Sequence, residues 1–157
     1  MTTPATRLHL RRPLTDLGFA LEEFGPFGSP EEMAPLMLAS YRGTPDDEGE
    51  TLEDTVEVLA GAMRGAFGPW LPDASFVSRD GGKRVGAAFT AMDGAEPFIA
   101  FLFTLPEASG RGVATRLVTR VCQALATTGH DHVSLWVNVA NARAVGLYRH
   151  LGFVDVP

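Results

Sequence analysis

Leu105-Pro106-Glu107-Ala108-Ser109-Gly110-Arg111-Gly112-Val113-Ala114 joins two very different segments. Before it runs an almost continuously apolar stretch, Phe98 to Leu105 (FIAFLFTL), the density expected of a strand buried on both faces. After it comes a helix with Val113, Leu117, Val121 and Leu125 on one side. Pro106 stops the strand ladder, and Gly110 and Gly112 lead directly into the first helical turn. The N–H groups of that turn have no intrahelical partner, and the helix dipole adds about half a positive charge. Glycines let the backbone approach an anion closely, so the stretch reads as a phosphate cradle. It is neither G-x-x-x-x-G-K-[ST] nor G-x-G-x-x-G, which excludes an ordinary triphosphate loop and a dinucleotide fingerprint. Taken alone, a glycine pair is more often just a tight turn.

The rest of the chain supplies the context. Downstream, Val133 to Val139 alternates as a strand, and a last helix, Asn141 to His150, ends at Gly152. Upstream, Ser75 to Ser78 passes through Arg79-Asp80-Gly81-Gly82 into Arg84 to Met92, a β-hairpin, and Asp93-Gly94 marks a second tight turn. Earlier still, Ser29-Pro30-Glu31-Glu32 starts a helix whose face is Met33, Leu36, Met37 and Tyr41. A second helix is expected over Leu52 to Phe67, with Leu52, Val56, Leu59, Met63 and Phe67 at helical spacing. Arg7 to Arg12 and Phe19 to Phe24 read as short strands. This order describes a mixed α/β domain with antiparallel and parallel pairing in one sheet.

A chain of 157 residues is the size of one ordinary domain, and residues 1–157 are read as one. With 45% hydrophobic and 20% charged residues the composition is globular, and no apolar run approaches the roughly 20 residues of a membrane span. The N-terminus has basic residues without a following apolar segment, so a secretory signal is not expected. The single cysteine, Cys122, excludes an internal disulfide, and a cytoplasmic location is the default. Thirteen basic against 19 acidic residues give a net charge of −6, which argues against nucleic acid as a partner. Any anion site must therefore be local, built from backbone N–H groups and a few arginines.

The second half of the chain resembles the GNAT superfamily of N-acetyltransferases. That family's coenzyme motif is an apolar strand, then P-x-x-[RQ]-x-x-G-x-[GA], then a helix; Pro106, Gly112 and Ala114 fit it. Its next motif is a strand followed by N-x-x-A-x-x-L-Y-x-x-x-G-F, and Asn141, Ala144, Leu147, Tyr148, Gly152 and Phe153 fill each place. The resemblance runs from about Arg84 to Phe153. It implies an acyl-CoA N-acyltransferase fold, a central mixed twisted sheet with helices on both faces. It also implies acetyl-CoA as co-substrate, no metal, and a primary amine as acceptor attacking the thioester directly. One position departs: the family's usual Arg or Gln, which helps hold the pyrophosphate, is Ser109 here. Arg111 or Arg116 is then the candidate for the electrostatic part.

The same resemblance implies that the pantetheine arm lies along Phe103-Thr104-Leu105 while Val133 to Val139 splays away to open a slot. The coenzyme contacts expected are Phe103, Thr104, Leu105, Ser109, Gly110, Arg111, Gly112, Val113, Ala114, Thr115, Asn141 and Tyr148. Tyr148 lies about two helical turns after Asn141, and a phenol with an ordinary pKa near 10 can protonate the leaving thiolate. Asn141 is also a natural helix N-cap. The family often supplies a base from the strand Phe98 to Thr104, which here holds no carboxylate. The candidates are therefore Glu48 and Glu50, in the acidic stretch Asp46 to Asp54 that also reads as a solvated loop. Tyr41 and Trp70 are candidate aromatic walls. His130 and His132 read as a surface turn rather than metal ligands, and Cys122 as buried and inert.

The acceptor class stays open between a small amine and a peptide amine, with the acidic rim favouring a small cation; a homodimer is left open. The rival reading keeps the fold as an acyl-CoA-binding or sensing module without turnover, and a further one makes the chain an interaction domain. The chain runs only four residues beyond Phe153, where the family continues into another strand. Either that strand is missing, or an N-terminal segment such as Phe19 to Phe24, or a partner subunit, fills its place.

Overall fold

The computed structural model describes residues 7–14 and 24–156. Its strands are β1 (Arg7–Pro13), β2 (Phe24–Pro26), β3 (Phe76–Asp80), β4 (Lys83–Asp93), β5 (Glu96–Thr104), β6 (His132–Asn138) and β7 (Val154–Asp155). Its helices are α1 (Pro30–Tyr41), α2 (Leu52–Met63), α3 (Val113–Thr127) and α4 (Ala142–His150). The strands form one sheet in the order β2-β3-β4-β5-β6-β1-β7. Only the β5–β6 pair is parallel, as the α3 crossover between them requires.

Local chemistry explains the helix starts. Ser29 accepts from the Glu32 N–H at 3.2 Å while the Glu32 carboxylate reaches back to the Ser29 N–H, and Thr51 with Asp54 repeats the arrangement. The second helix ends at Met63, four residues short of expectation, because Gly65 adopts φ +100°, outside the helical region. Its buried side is Thr55, Leu59 and Ala62, and Phe67 leaves it to pack edge-on against Phe101.

Gly86 lies so close to α3 that a Cβ there would meet Val113 and Leu117. Phe103, opposite Ala87 and so on the other side of the pleat, packs edge-on against Tyr41 of α1. Helices α3 and α1 therefore cover opposite faces, and the core lies on both. Val113, Leu117, Val118, Val121, Cys122 and Leu125 fill one side, and Leu36, Met37, Phe89 and Phe103 belong to the other. Cys122 is buried as expected, and burial pushes its thiol up.

Two expectations change. Strand β5 is fully buried only at Pro97, Ile99 and Phe103; Phe98, Ala100, Phe101 and Leu102 are half-buried because they face a cleft. The position beside β6 is taken by β1, an N-terminal strand other than the expected Phe19 to Phe24. Residues 19–23 of that stretch lie outside the described residues, and Phe24 opens β2. Strand β1 pairs with β6 along its whole length, from Arg7↔Asn138 to Pro13↔His132. Arg11 donates to the two carboxylate oxygens of Glu96 on β5 through Nε and Nη2, which holds that carboxyl below its usual range. Among the described residues no helix is long and apolar enough to cross a membrane.

Candidate active site

The parallel β5–β6 ladder contains only Phe98↔Ser134 and Ile99↔Leu135. From Ala100 to Thr104 the β6-facing edge of β5 has no strand partner, and a cleft of about 1380 Å³ opens there. Of the expected coenzyme residues, Phe103, Thr104, Ser109, Gly110, Gly112, Val113, Ala114, Thr115, Asn141 and Tyr148 all line this one cleft, as do Glu48 and Glu50. Leu105 does not: it is buried, and its N–H donates to the Val85 carbonyl at 2.8 Å. Arg111 does not either; its guanidinium lies 3.7 Å from Asp80 at the tip of the β3–β4 hairpin.

One end of the cleft suits an anion. After β5 the chain makes a short 3-10 turn, Pro106–Ala108, and Gly112 at φ +79° begins α3 with no side-chain cap. The first-turn N–H groups of Val113, Ala114 and Thr115 are thus left for a ligand. A Cβ on Gly112 would come to 3.0 Å from the Arg116 guanidinium, so that side of the loop is closed. Arg116 holds the loop from behind, donating to the Arg111 carbonyl at 2.8 Å. At this end the cleft holds the cation of Arg143, from the first turn of α4, whose guanidinium donates to the Ser109 hydroxyl. It lies in a variable position of the second motif, where nothing in the sequence marks it.

The other end gathers tyrosines and carboxylates. Asn141 caps α4, its Oδ1 accepting from the Ala144 N–H at 3.1 Å, and its Nδ2 points at Asp46 at 3.5 Å. That contact ties the α1–α2 loop to α4. Burial first, and the Asp46 charge second, push the Tyr148 phenol well above its ordinary value. Tyr41 is raised by burial, then by Tyr148, Asp46 and Glu50, with Arg7 opposing. Asp46 is the acid whose charge reaches both phenols; of the expected candidates Glu48 and Glu50, which line the same cleft, Glu50 acts on Tyr41. Asp47 is used by the loop itself, accepting from the Gly43 and Gly49 N–H groups at 2.8 and 3.0 Å.

The aromatic walls differ from expectation in one member. Tyr41 lines the cleft, but Trp70 does not: it stacks on Phe89 in the core and its Nε1 donates to Ser75 at 3.0 Å. Its place is taken by Trp136 and Phe67, 48% and 44% exposed. The Trp136 indole is held flat by His9 of β1, ring centroids 4.1 Å apart and planes 3° off parallel. His132 Nδ1 lies 3.0 Å from the neighbouring Asp131 carboxylate. Among the described residues no three His, Cys, Asp or Glu side chains gather in a metal-binding group.

The chain is 37% identical over 87 residues, 53% of its length and 46% of the relative, to the N-alpha-acetyltransferase MAK3 of Arabidopsis thaliana. It is 30% identical over 169 aligned positions, 98% of its length and 55% of the relative, to mycothiol acetyltransferase of Thermobispora bispora. The chain thus spans about half the length of these curated relatives. In fold it is similar to an aminoglycoside N-acetyltransferase solved in complex with CoA. That likeness has TM-score 0.63 and 17% identity, and it covers 99% of this chain and 94% of that one. The model of the acetyltransferase (GNAT) family matches residues 39–153, and the chain belongs to that family.

Proposed function

We propose that the protein transfers an acetyl group from acetyl-CoA to a primary amine within a ternary complex. The observation that carries this reading is the opening of the β5–β6 ladder beyond Ile99. It exposes an unpaired strand edge between an anion-accepting loop at one end and Tyr148 with Asp46 at the other. A pantetheine arm fits along that edge as an added strand, with the pyrophosphate on the Ser109–Thr115 backbone and Arg143. Backbone N–H groups of the unpaired edge stand where the thioester oxyanion develops, a contact often worth several kcal/mol.

In the reaction the acceptor ammonium gives a proton to Asp46, directly or through water. The freed amine attacks the thioester carbonyl, forming the C–N bond. Collapse breaks the C–S bond, and the thiolate takes its proton from Tyr148. The amide nitrogen then loses its remaining extra proton, restoring the phenol. The balance is one amide, one free thiol and one proton released to solvent. Glu48 and Glu50 act at the rim, attracting a cationic amine.

Following free thiol in mixtures of the protein, acetyl-CoA and a panel of primary amines and peptide N-termini tests this. Thiol release above the rate of hydrolysis is the expected result. Coenzyme binding, seen as a thermal shift, with no release from any amine would replace the reading by a binding module. Coenzyme contact is tested separately. Arg143→Ala is expected to weaken acetyl-CoA by ~10- to 100-fold, the worth of one charged hydrogen bond. Arg111→Ala, which loses only an exposed pair with Asp80, should change it by less than about 3-fold. Titration calorimetry giving the reverse order would move the anion contact to Arg111.

A further inference from the structure

The mechanism leaves one charged group of the cleft unused. Arg7, at the first position of β1, lines the cleft beside Asn138, its partner on β6. Its guanidinium makes no ion pair or side-chain hydrogen bond with any described residue, although Asp46, Glu48 and Glu50 line the same cleft. The coenzyme does not require it. The pyrophosphate end is built at the C-terminus of β5, whereas β1 lies two strands away, roughly 10 Å across the sheet. Arg7, Tyr41 and Asp46 line the one cleft, and both charges act on the Tyr41 phenol, with opposite sign.

An amine alone would be served by the carboxylates, and a cation beside them would repel it. A planar guanidinium with no such partner among the described residues is matched by a carboxylate, which it binds through two parallel N–H donors. The same cleft also offers apolar surfaces: Trp136, fixed by His9, and Phe67 with Val58, all substantially exposed.

Resting on the acetyl-transfer reading above, we infer that the acceptor is an apolar amino acid, its amine at Asp46 and its carboxylate at Arg7. The side chain then lies against Trp136 and Phe67. The strand that fills the place beside β6 thereby supplies the specificity of the site as well as closing the sheet.

The test uses matched pairs of acceptors: leucine, phenylalanine and methionine, each against its amide and its decarboxylated amine, with saturating acetyl-CoA and thiol release as readout. The expected result is a kcat/KM at least ~10-fold higher for the acids, most of it in KM. In Arg7→Gln the acid-to-amide ratio should fall to near one, with Arg7→Lys intermediate. If the amides or the decarboxylated amines release thiol as fast as the acids, this inference is overturned while acetyl transfer stands. If Arg7→Gln slows acids and amides equally, Arg7 acts on the reacting centre and the inference is likewise overturned. If no acceptor of any class releases thiol, the acetyl-transfer reading itself falls.

Discussion

Tyr148→Phe is expected to lower turnover by ~10²- to 10³-fold, the usual size of a lost general acid. The substitution keeps the ring that packs edge-on at 5.9 Å against Phe153, so the fold and the end of α4 should persist. Acetyl-CoA affinity should change little, because the phenol is asked to protonate the thiolate only as it leaves. The pH profile offers a second check. Burial and the Asp46 charge both raise the Tyr148 pKa, so the phenol keeps its proton above pH 10, where an ordinary tyrosine begins to lose it. Turnover should therefore rise with pH as the acceptor amine deprotonates and then level off. An alkaline decline near the ordinary tyrosine value in the wild type, absent in Tyr148→Phe, would show that the phenol is not held up. Equal turnover in the two proteins would remove it from the acid role.

Asp46→Asn should lower kcat/KM for the amine by ~10²-fold near neutral pH. The change keeps the size of the side chain and a possible contact with Asn141, so it isolates the loss of charge and of proton acceptance. The sign of its pH dependence follows directly. At neutral pH most of the acceptor is ammonium, with a pKa near 10, and needs a base; at high pH the amine is already neutral. The deficit should thus shrink as pH rises towards 10. Glu48→Gln and Glu50→Gln, whose proposed part is only to attract the amine, should lose less than about 5-fold, chiefly through KM at low salt. A larger loss at Glu48 or Glu50 than at Asp46 in steady-state assays would return the base to those positions.

The difference between Asp46 and its neighbours illustrates what a sequence holds. Six acids lie between Asp46 and Asp54, and spacing along an irregular loop carries no orientation. Their separation is made by contacts from elsewhere. Asp47 is consumed by the Gly43 and Gly49 N–H groups, Asp54 by the cap of α2, and Asp46 is turned inward towards Asn141, 95 residues away. Arg143 and Trp136 were illegible for the same reason. A cation in a variable motif position and a tryptophan on an alternating strand acquire meaning only when Ser109 and His9 are placed against them.

Periodic and locally capped features behave differently. The buried face of α3, the Ser29 cap of α1, the hairpin at Gly81-Gly82 and the Asn141 cap all depend on residues within a few positions of one another. So does the anion end of the cleft, since a helix N-terminus after glycines exposes its N–H groups wherever it folds. These, together with the two motifs spaced from Pro106 to Phe153, were determined by the sequence itself.

The tertiary structure decided the rest. It ended α2 at Met63, stacked Trp70 on Phe89, and turned Arg111 outward to Asp80. Above all it seated Arg7–Pro13 beside β6, where the register with Asn138 carries Arg7 to the cleft. Strand pairing joins backbone groups that any sequence of suitable alternation can offer, so the choice of neighbour rests on long-range packing and on ties such as Arg11 to Glu96.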